Sequence, residues 1–513
     1  MGRSRKKKRK KNRYTPISDH KRIKKELIPP MKRMPITQVD FERNQIPEFL
    51  WIESLKNYHN SPSWHIHYDF FIDVIEQYID SDERIFLGLI SDFNSINPEK
   101  REKFITEQKD IIVKHFLNPF GRILLLYPDC PAKWLLLDEW VKELEIENEE
   151  QIEMISHSLM RLYDAKEHYT ANIRIIPLKR LFKHGKIRLP SQADIIDLLP
   201  KYPDKLDDDK QYYVESFGRN IINMYFGEHY QDNSWSKYFW NRNFEFSKCK
   251  FEEIPEEVYD EDIRKRFDEY YNNCVENTKV MDEYFNEVIE QYVIDIYDPS
   301  KDEVILGLFS RIIRLYKIIN LSPDLWAIDI SRILLRCISD TLITYCYLIM
   351  KNENELYSNF IEYGKGKEKL LLLHLQDTHP SGDTPLGEKI ETLAASLGGG
   401  MSPEFINVNI GDWIDKSIRT MAQETDLMEI YRLIYDPTSS DIHGTWTSVK
   451  NVNLTYCYNP LHRFHRLPQV NPPPLFLNPT IIASKLILVA IQRSQEILSF
   501  PKLAKEINIP KME

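Results

Sequence analysis

The stretch from Ser322 to Met350, SPDLWAIDISRILLRCISDTLITYCYLIM, decides what kind of fold this chain adopts. Its polar side chains Asp329, Arg332, Arg336, Asp340, Thr344 and Tyr347 recur every three or four residues, so on a helix they form one stripe. Ile330, Ile333, Leu334, Leu335, Cys337, Ile338, Leu342, Ile343 and Ile349 fill nearly all the other positions. A helix apolar over so wide an arc is largely buried, and its polar stripe either meets water or lines a polar pocket. Ser322-Pro323 reads as its cap and first turn. Arg336 and Asp340 stand at i, i+4, the spacing of a helical ion pair.

Outward from this segment the pattern stays helical. Trp140 to Tyr163 places Val141, Leu144, Ile152, Ile155, Leu159 and Leu162 mainly three, four and seven or eight apart, with Glu and Lys between them. Alternating Val/Ile/Thr runs and Asn-Gly hairpins are missing. The expected fold class is all-α.

A chain of 513 residues is too long for one compact core. Ile296-Tyr297-Asp298-Pro299-Ser300-Lys301-Asp302 is a turn-rich break. The expected organisation is a disordered basic tail (1–38), an aromatic-rich helical domain (39–298) and a C-terminal helical bundle (299–513). Gly364, Gly366 and Gly398-Gly399-Gly400 read as helix stops: none continues into Gly-Lys-Ser/Thr or follows a strand, which excludes a phosphate loop or dinucleotide fingerprint. Pro472-Pro473-Pro474 sets off a last helix that starts at Asn478-Pro479.

Charge is unevenly distributed. Residues 1–34 hold 15 Lys or Arg against 2 Asp or Glu, leaving 53 against 76 in the rest, so a basic arm is joined to an acidic body. Arg3, Arg5, Lys6, Lys7, Lys8, Arg9, Lys10, Lys11 and Arg13 repel one another and have nothing apolar to bury. Such an arm suits phosphates of RNA or another nucleic acid, read without sequence preference. Equally, it could dock on the protein's own acidic surface or aid solubility.

No window approaches about 20 uncharged apolar residues, and no apolar stretch follows the basic run, so neither a membrane span nor a secretory leader is expected. The expected location is cytoplasmic. Six cysteines, Cys130, Cys249, Cys274, Cys337, Cys346 and Cys457, are scattered without Cys-x-x-Cys pairs. They read as reduced, mostly buried thiols, with no metal and no cofactor expected.

The chemistry-bearing residues lie in Tyr435-Asp436-Pro437-Thr438-Ser439-Ser440-Asp441-Ile442-His443-Gly444-Thr445-Trp446, where Tyr, Ser and His recur every four residues. With Arg336 and Asp340 they make one candidate polar site inside a bundle. Downstream, Asn459-Pro460-Leu461-His462-Arg463-Phe464-His465-Arg466 is basic enough to bind an anion and could equally be an exposed loop.

Residues 300–500 resemble the bacterial helical family catalogued as domain of unknown function 5677, similar in style to the HEPN (higher eukaryote and prokaryote nucleotide-binding) bundles. An Arg followed four residues later by an acid, here Arg336 and Asp340, carries the resemblance together with Tyr435, Ser439, His443 and Gly444. It implies metal-independent RNA cleavage, as in a toxin or phage-defence effector. His443 would shuttle a proton, Arg336 would stabilise charge on the phosphorane, Ser439 or Tyr435 would orient the phosphate, and Asp340 would complete the set.

The chain departs from that pattern in three ways. Asp340 is shorter than the usual Glu, Pro437 interrupts the helix, and Arg432 precedes His443 by eleven positions where HEPN ribonucleases space Arg and His more closely. Arg161 and His168 have the HEPN spacing, at the level expected by chance. The competing reading is a non-catalytic interaction protein whose Arg/Asp/Tyr/His cluster fixes the bundle and whose N-terminal domain binds a protein partner.

Overall fold

The computed structural model describes residues 19–24, 26–28, 40–79, 85–144, 147–164, 167–185, 195–203, 205–229, 233–251, 261–378, 392, 406–408, 411–470 and 479–509. The basic arm before Asp19, with Arg3 to Arg13, lies outside them, as do Gly398–Gly400 and Pro472–Pro474. The chain is all-α: strand among the described residues is confined to four three-residue pieces, Lys21–Ile23, Glu26–Ile28, Leu454–Tyr456 and Arg466–Pro468. It divides into two compact units. Unit 1 is 1–252 with 456–465, and unit 2 is 253–455 with 466–513. The break expected at Ile296–Asp302 lies inside unit 2, and its last three residues already belong to a helix, Ser300–Leu321.

Unit 1 is organised on α1 (Ile46–His59), which is buried without interruption from Ile46 to Leu55. A helix covered on every side has no polar face. Its centre is Trp51, whose ring lies 5.5–6.3 Å from those of Tyr68, Phe71, Phe93 and Phe116. The two carboxylates that α1 brings into this interior are each paired: Glu48 accepts from the Ser91 amide at 2.8 Å, and Glu53 faces Arg161 Nε at 2.5 Å. Around α1 stand α2 (Trp64–Ile75), α3 (Asn148–Tyr163), α4 (His168–Lys183), α5 (Asp208–His229) and α6 (Ser234–Phe246). The single amphipathic helix expected from Trp140 to Tyr163 is two pieces, Asp138–Lys142 and α3.

Unit 2 comprises α7 (Glu261–Gln291), α8 (Ser300–Leu321), α9 (Ile328–Lys351), α10 (Asn354–Thr378), α11 (Ile418–Glu424), α12 (Asp436–Ile442) and α13 (Pro479–Leu498). Helix α9 begins later than Ser322-Pro323 suggests. Those residues open a separate 3₁₀ turn, Pro323–Trp326, held by the Trp326 indole donating to the Ile319 carbonyl at 2.7 Å. Ala327 is then extended, which resets the chain before Ile328. Gly364 and Gly366 do not stop a helix. Both lie within α10: Gly366 is buried, so packing offsets its propensity cost of about 1 kcal/mol, whereas Gly364 is exposed and is carried by the helix on either side of it.

Helix α9 packs on α8 and α13, with Ile338, Leu342, Ile343 and Leu348 fully enclosed. Tyr345 shares a 2.6 Å hydroxyl contact with Ser494 of α13. By length and composition alone α9 could cross a membrane, but 67% of its apolar stretch is buried inside the protein. Most of its apolar surface is occupied by the core of unit 2.

Candidate functional site

The stripe on α9 meets the segment from Tyr431 to Ile442. Pro437 has no amide proton, so the helical ladder cannot run through it unchanged. The chain accommodates it with a π-helical turn, Tyr431–Tyr435, that leads directly into α12. The interruption expected at Pro437 is thus a widened turn followed by continued helix. At the far end His443 caps α12, and Gly444 takes a left-handed φ of 55°. The Thr445 amide then returns to the Ser440 carbonyl at 3.1 Å, closing the helix in a Schellman-type turn.

Two arginines of α9 hold this segment. Arg336 Nη1 donates to the Tyr435 carbonyl at 2.7 Å, and the guanidinium lies 3.9 Å from the centroid of the Tyr435 ring. That ring stacks in turn on Tyr431, 5.2 Å away. One turn earlier, Arg332 Nη2 donates to the Pro437 carbonyl at 3.2 Å, while its Nε stands 3.0 Å from Asp441 Oδ2. Each carbonyl also accepts from a hydroxyl of the same segment, Thr438 Oγ1 to Tyr435 at 3.1 Å and Ser440 Oγ to Pro437 at 2.8 Å, and the guanidinium fork adds a second donor.

Asp340 makes no ion pair with Arg336 within 4.0 Å, contrary to their i, i+4 spacing, because Arg336 is turned to Tyr435. Asp340 reaches solvent. Crowding around it holds its carboxyl above the ordinary carboxylate range, opposed by the positive charges of Arg336 and Arg311. Burial, reinforced by Asp340 and opposed by Arg336, also raises the Tyr435 phenol.

Of the five residues singled out, Arg336 and Tyr435 are brought into contact. Ser439 is half-buried, and His443 is exposed with no side-chain partner among the described residues. Tyr435 and His443 are eight residues apart along one helical segment, about 12 Å at 1.5 Å per residue. The side chains flanking His443 are apolar and open, Ile442 at 45% exposure and Trp446 at 63%. Asp441, which the Tyr/Ser/His spacing passes over, is the buried acid of the cluster. Arg161 and His168 are engaged elsewhere, with Glu53 and Glu215.

Residues 302–455 match a family of unknown function (DUF5677). The matched segment contains most of α8 and all of α9 and α12, so both halves of the Arg-to-Tyr contact lie within it, and it ends before the 456–465 piece of unit 1. No curated protein and no solved structure matches the chain.

A second cluster, only partly visible in the sequence spacing, lies in unit 1. Cys249, Cys457, His462 and His465 place their ligand-type atoms within 4.8 Å of one another. His462 is buried, not part of an open anion-binding loop. The local spacing Cys457-x4-His462-x2-His465 was available as a signal, but the fourth member stands 216 positions before His465. A third group, His59, His67 and His115, is joined by ring contacts, with His59 and His67 face to face at 3.6 Å.

Proposed function

We propose that this protein acts through interactions, with the Arg336–Tyr435 and Arg332–Asp441 contacts serving as a clamp that docks the Tyr431–Ile442 segment on α9. The observation that carries this reading is the use already made of Arg336: its guanidinium is taken by the carbonyl and ring of Tyr435. A general acid–base mechanism at His443 would need an arginine converging with it on one phosphate. Arg336 instead grips the opposite end of the helix. The exposed Ile442 and Trp446 beside His443 suit a protein partner better than a phosphate. The basic arm, residues 1–34, would add phosphate contacts that tether the assembly to RNA or another nucleic acid.

A second reading, an RNA-directed HEPN-like effector of toxin or phage-defence type, draws on the exposed and unpartnered His443. One comparison separates the two. Arg336→Ala and His443→Ala proteins are assayed for thermal stability and for cleavage of structured and single-stranded RNA. The clamp reading expects Arg336→Ala to lower the melting temperature, His443→Ala to leave it unchanged, and neither wild type nor variants to cleave RNA. Cleavage by the wild type that His443→Ala abolishes at an unchanged melting temperature would overturn it.

A further inference from the structure

We propose that Cys249, Cys457, His462 and His465 form a structural zinc site that fastens the 456–465 segment into unit 1. Two thiols and two imidazoles within 4.8 Å of one another are the donor set of tetrahedral structural zinc. The individual edges fit as well. Cys249 Sγ is 3.4 Å from His465 Nε2, and Cys457 Sγ is 3.5 Å from His462 Nδ1. Zinc bonds of roughly 2.3 Å to sulfur and 2.0–2.1 Å to nitrogen, opened to a tetrahedral angle, require a sulfur-to-nitrogen edge of about 3.5 Å.

The surroundings orient the donors. Ser247 Oγ donates to the Asn243 carbonyl at 2.6 Å, so it can accept from His462 Nε2, 2.8 Å away. With its proton on Nε2, His462 turns the lone pair of Nδ1 toward Cys457, the arrangement by which an outer hydrogen bond fixes a metal-binding tautomer. The main chain is pinned on both sides: the Cys457 amide donates to the His465 carbonyl at 2.8 Å, the Tyr458 amide to Lys250 at 2.8 Å, and Asn459 Nδ2 to Lys248 at 2.7 Å.

Between the two histidines, Arg463 and Phe464 both adopt left-handed backbone, with φ of 55° and 47°. Two consecutive non-glycine residues in that region carry a conformational cost, which the site's geometry would offset. All four donors come from the protein and Cys457 is fully buried, so the site is closed and structural rather than catalytic. Binding Zn²⁺ replaces the two thiol protons, which leave to solvent as the two Zn–S bonds form. The His59, His67 and His115 group does not compete. A metal lies in the plane of each imidazole it binds, and the rings of His59 and His67 are parallel to within 2° and stacked.

The test uses the full chain purified without chelator. After desalting, elemental analysis should find about one zinc per chain, and exchange with Co²⁺ should give tetrahedral ligand-field bands with thiolate-to-cobalt charge transfer. Cys249→Ser and His465→Ala should each weaken zinc binding by more than about tenfold, while Cys337→Ser in unit 2 keeps it. The cobalt spectrum of the wild type stands even if a ligand variant fails to fold. Zinc far below one per chain after incubation of reduced protein with Zn²⁺, or a cobalt spectrum without thiolate charge transfer, would each overturn the site.

Discussion

Arg332 and Asp441 form an ion pair of unequal exposure: the carboxylate is 1% exposed and the guanidinium 24%, with 3.0 Å between Oδ2 and Nε. Neither Asp441 oxygen receives an aligned hydrogen bond, so Arg332 is the compensation for a charge removed from water. Arg332→Ala, which leaves that carboxylate buried alone, should cost about 3 kcal/mol in urea denaturation. Arg332→Met with Asp441→Leu should recover most of the loss. A single variant within about 0.5 kcal/mol of wild type would show that the pair does not hold α12 in place.

The core of unit 2 should respond unevenly along α9. Ile338 is fully enclosed, and its truncation to alanine should cost roughly 2–5 kcal/mol as a cavity. Leu334, one turn earlier, is only half-buried, so Leu334→Ala should cost clearly less. Equal losses from the two would contradict the burial pattern of this helix.

Acid should destabilise unit 1 through His115. Burial, then the neighbouring His67, Lys114 and His59, lowers this imidazole from 6.5 to about 4. The unfolded chain therefore binds a proton that the folded chain refuses, and stability falls as pH drops from 6.5 toward 4. His115 Nδ1 is buried without a partner, and Phe70 lies 5.2 Å away, so phenylalanine should fit. His115→Phe should make the melting temperature less sensitive to pH across that window. An unchanged slope would assign the acid sensitivity to other groups.

Removing residues 1–34 should lower affinity for RNA and flatten the dependence of log K on log salt, because 15 cationic side chains leave with them. The melting temperature should stay nearly the same. An identical salt slope in the shortened protein would eliminate the arm as a phosphate contact.

The all-α class was legible because apolar periodicity is a local property, and α9 displays it over six turns. What the periodicity could not give was the direction of each polar side chain. Arg336 has the right spacing for Asp340, but the carbonyl and ring of Tyr435, 99 positions later, make a better acceptor in three dimensions. Asp441 was hidden for the same reason, its partner Arg332 being far away in sequence. Gly364 and Gly366 sit inside a helix because glycine's cost of about 1 kcal/mol is small beside the rest of a 25-residue helix, and Gly366 is also buried. The cysteine and histidine cluster is not legible in the sequence because Cys249 comes from another part of the chain, 216 positions before His465.

Unit 1 is discontinuous, and this bears on synthesis. Its core includes Leu461, and the Tyr163 hydroxyl donates to the Pro460 carbonyl. At about 5–20 residues per second, the roughly 200 residues between the two pieces take some 10–40 s to emerge from a ribosome. During that interval the first 252 residues wait with an open place in their interior, so the usual order, in which the N-terminal part finishes folding first, is reversed for its last step. A chaperone that shields apolar surface has its longest working interval there, before the segment carrying Cys457 and His462 arrives.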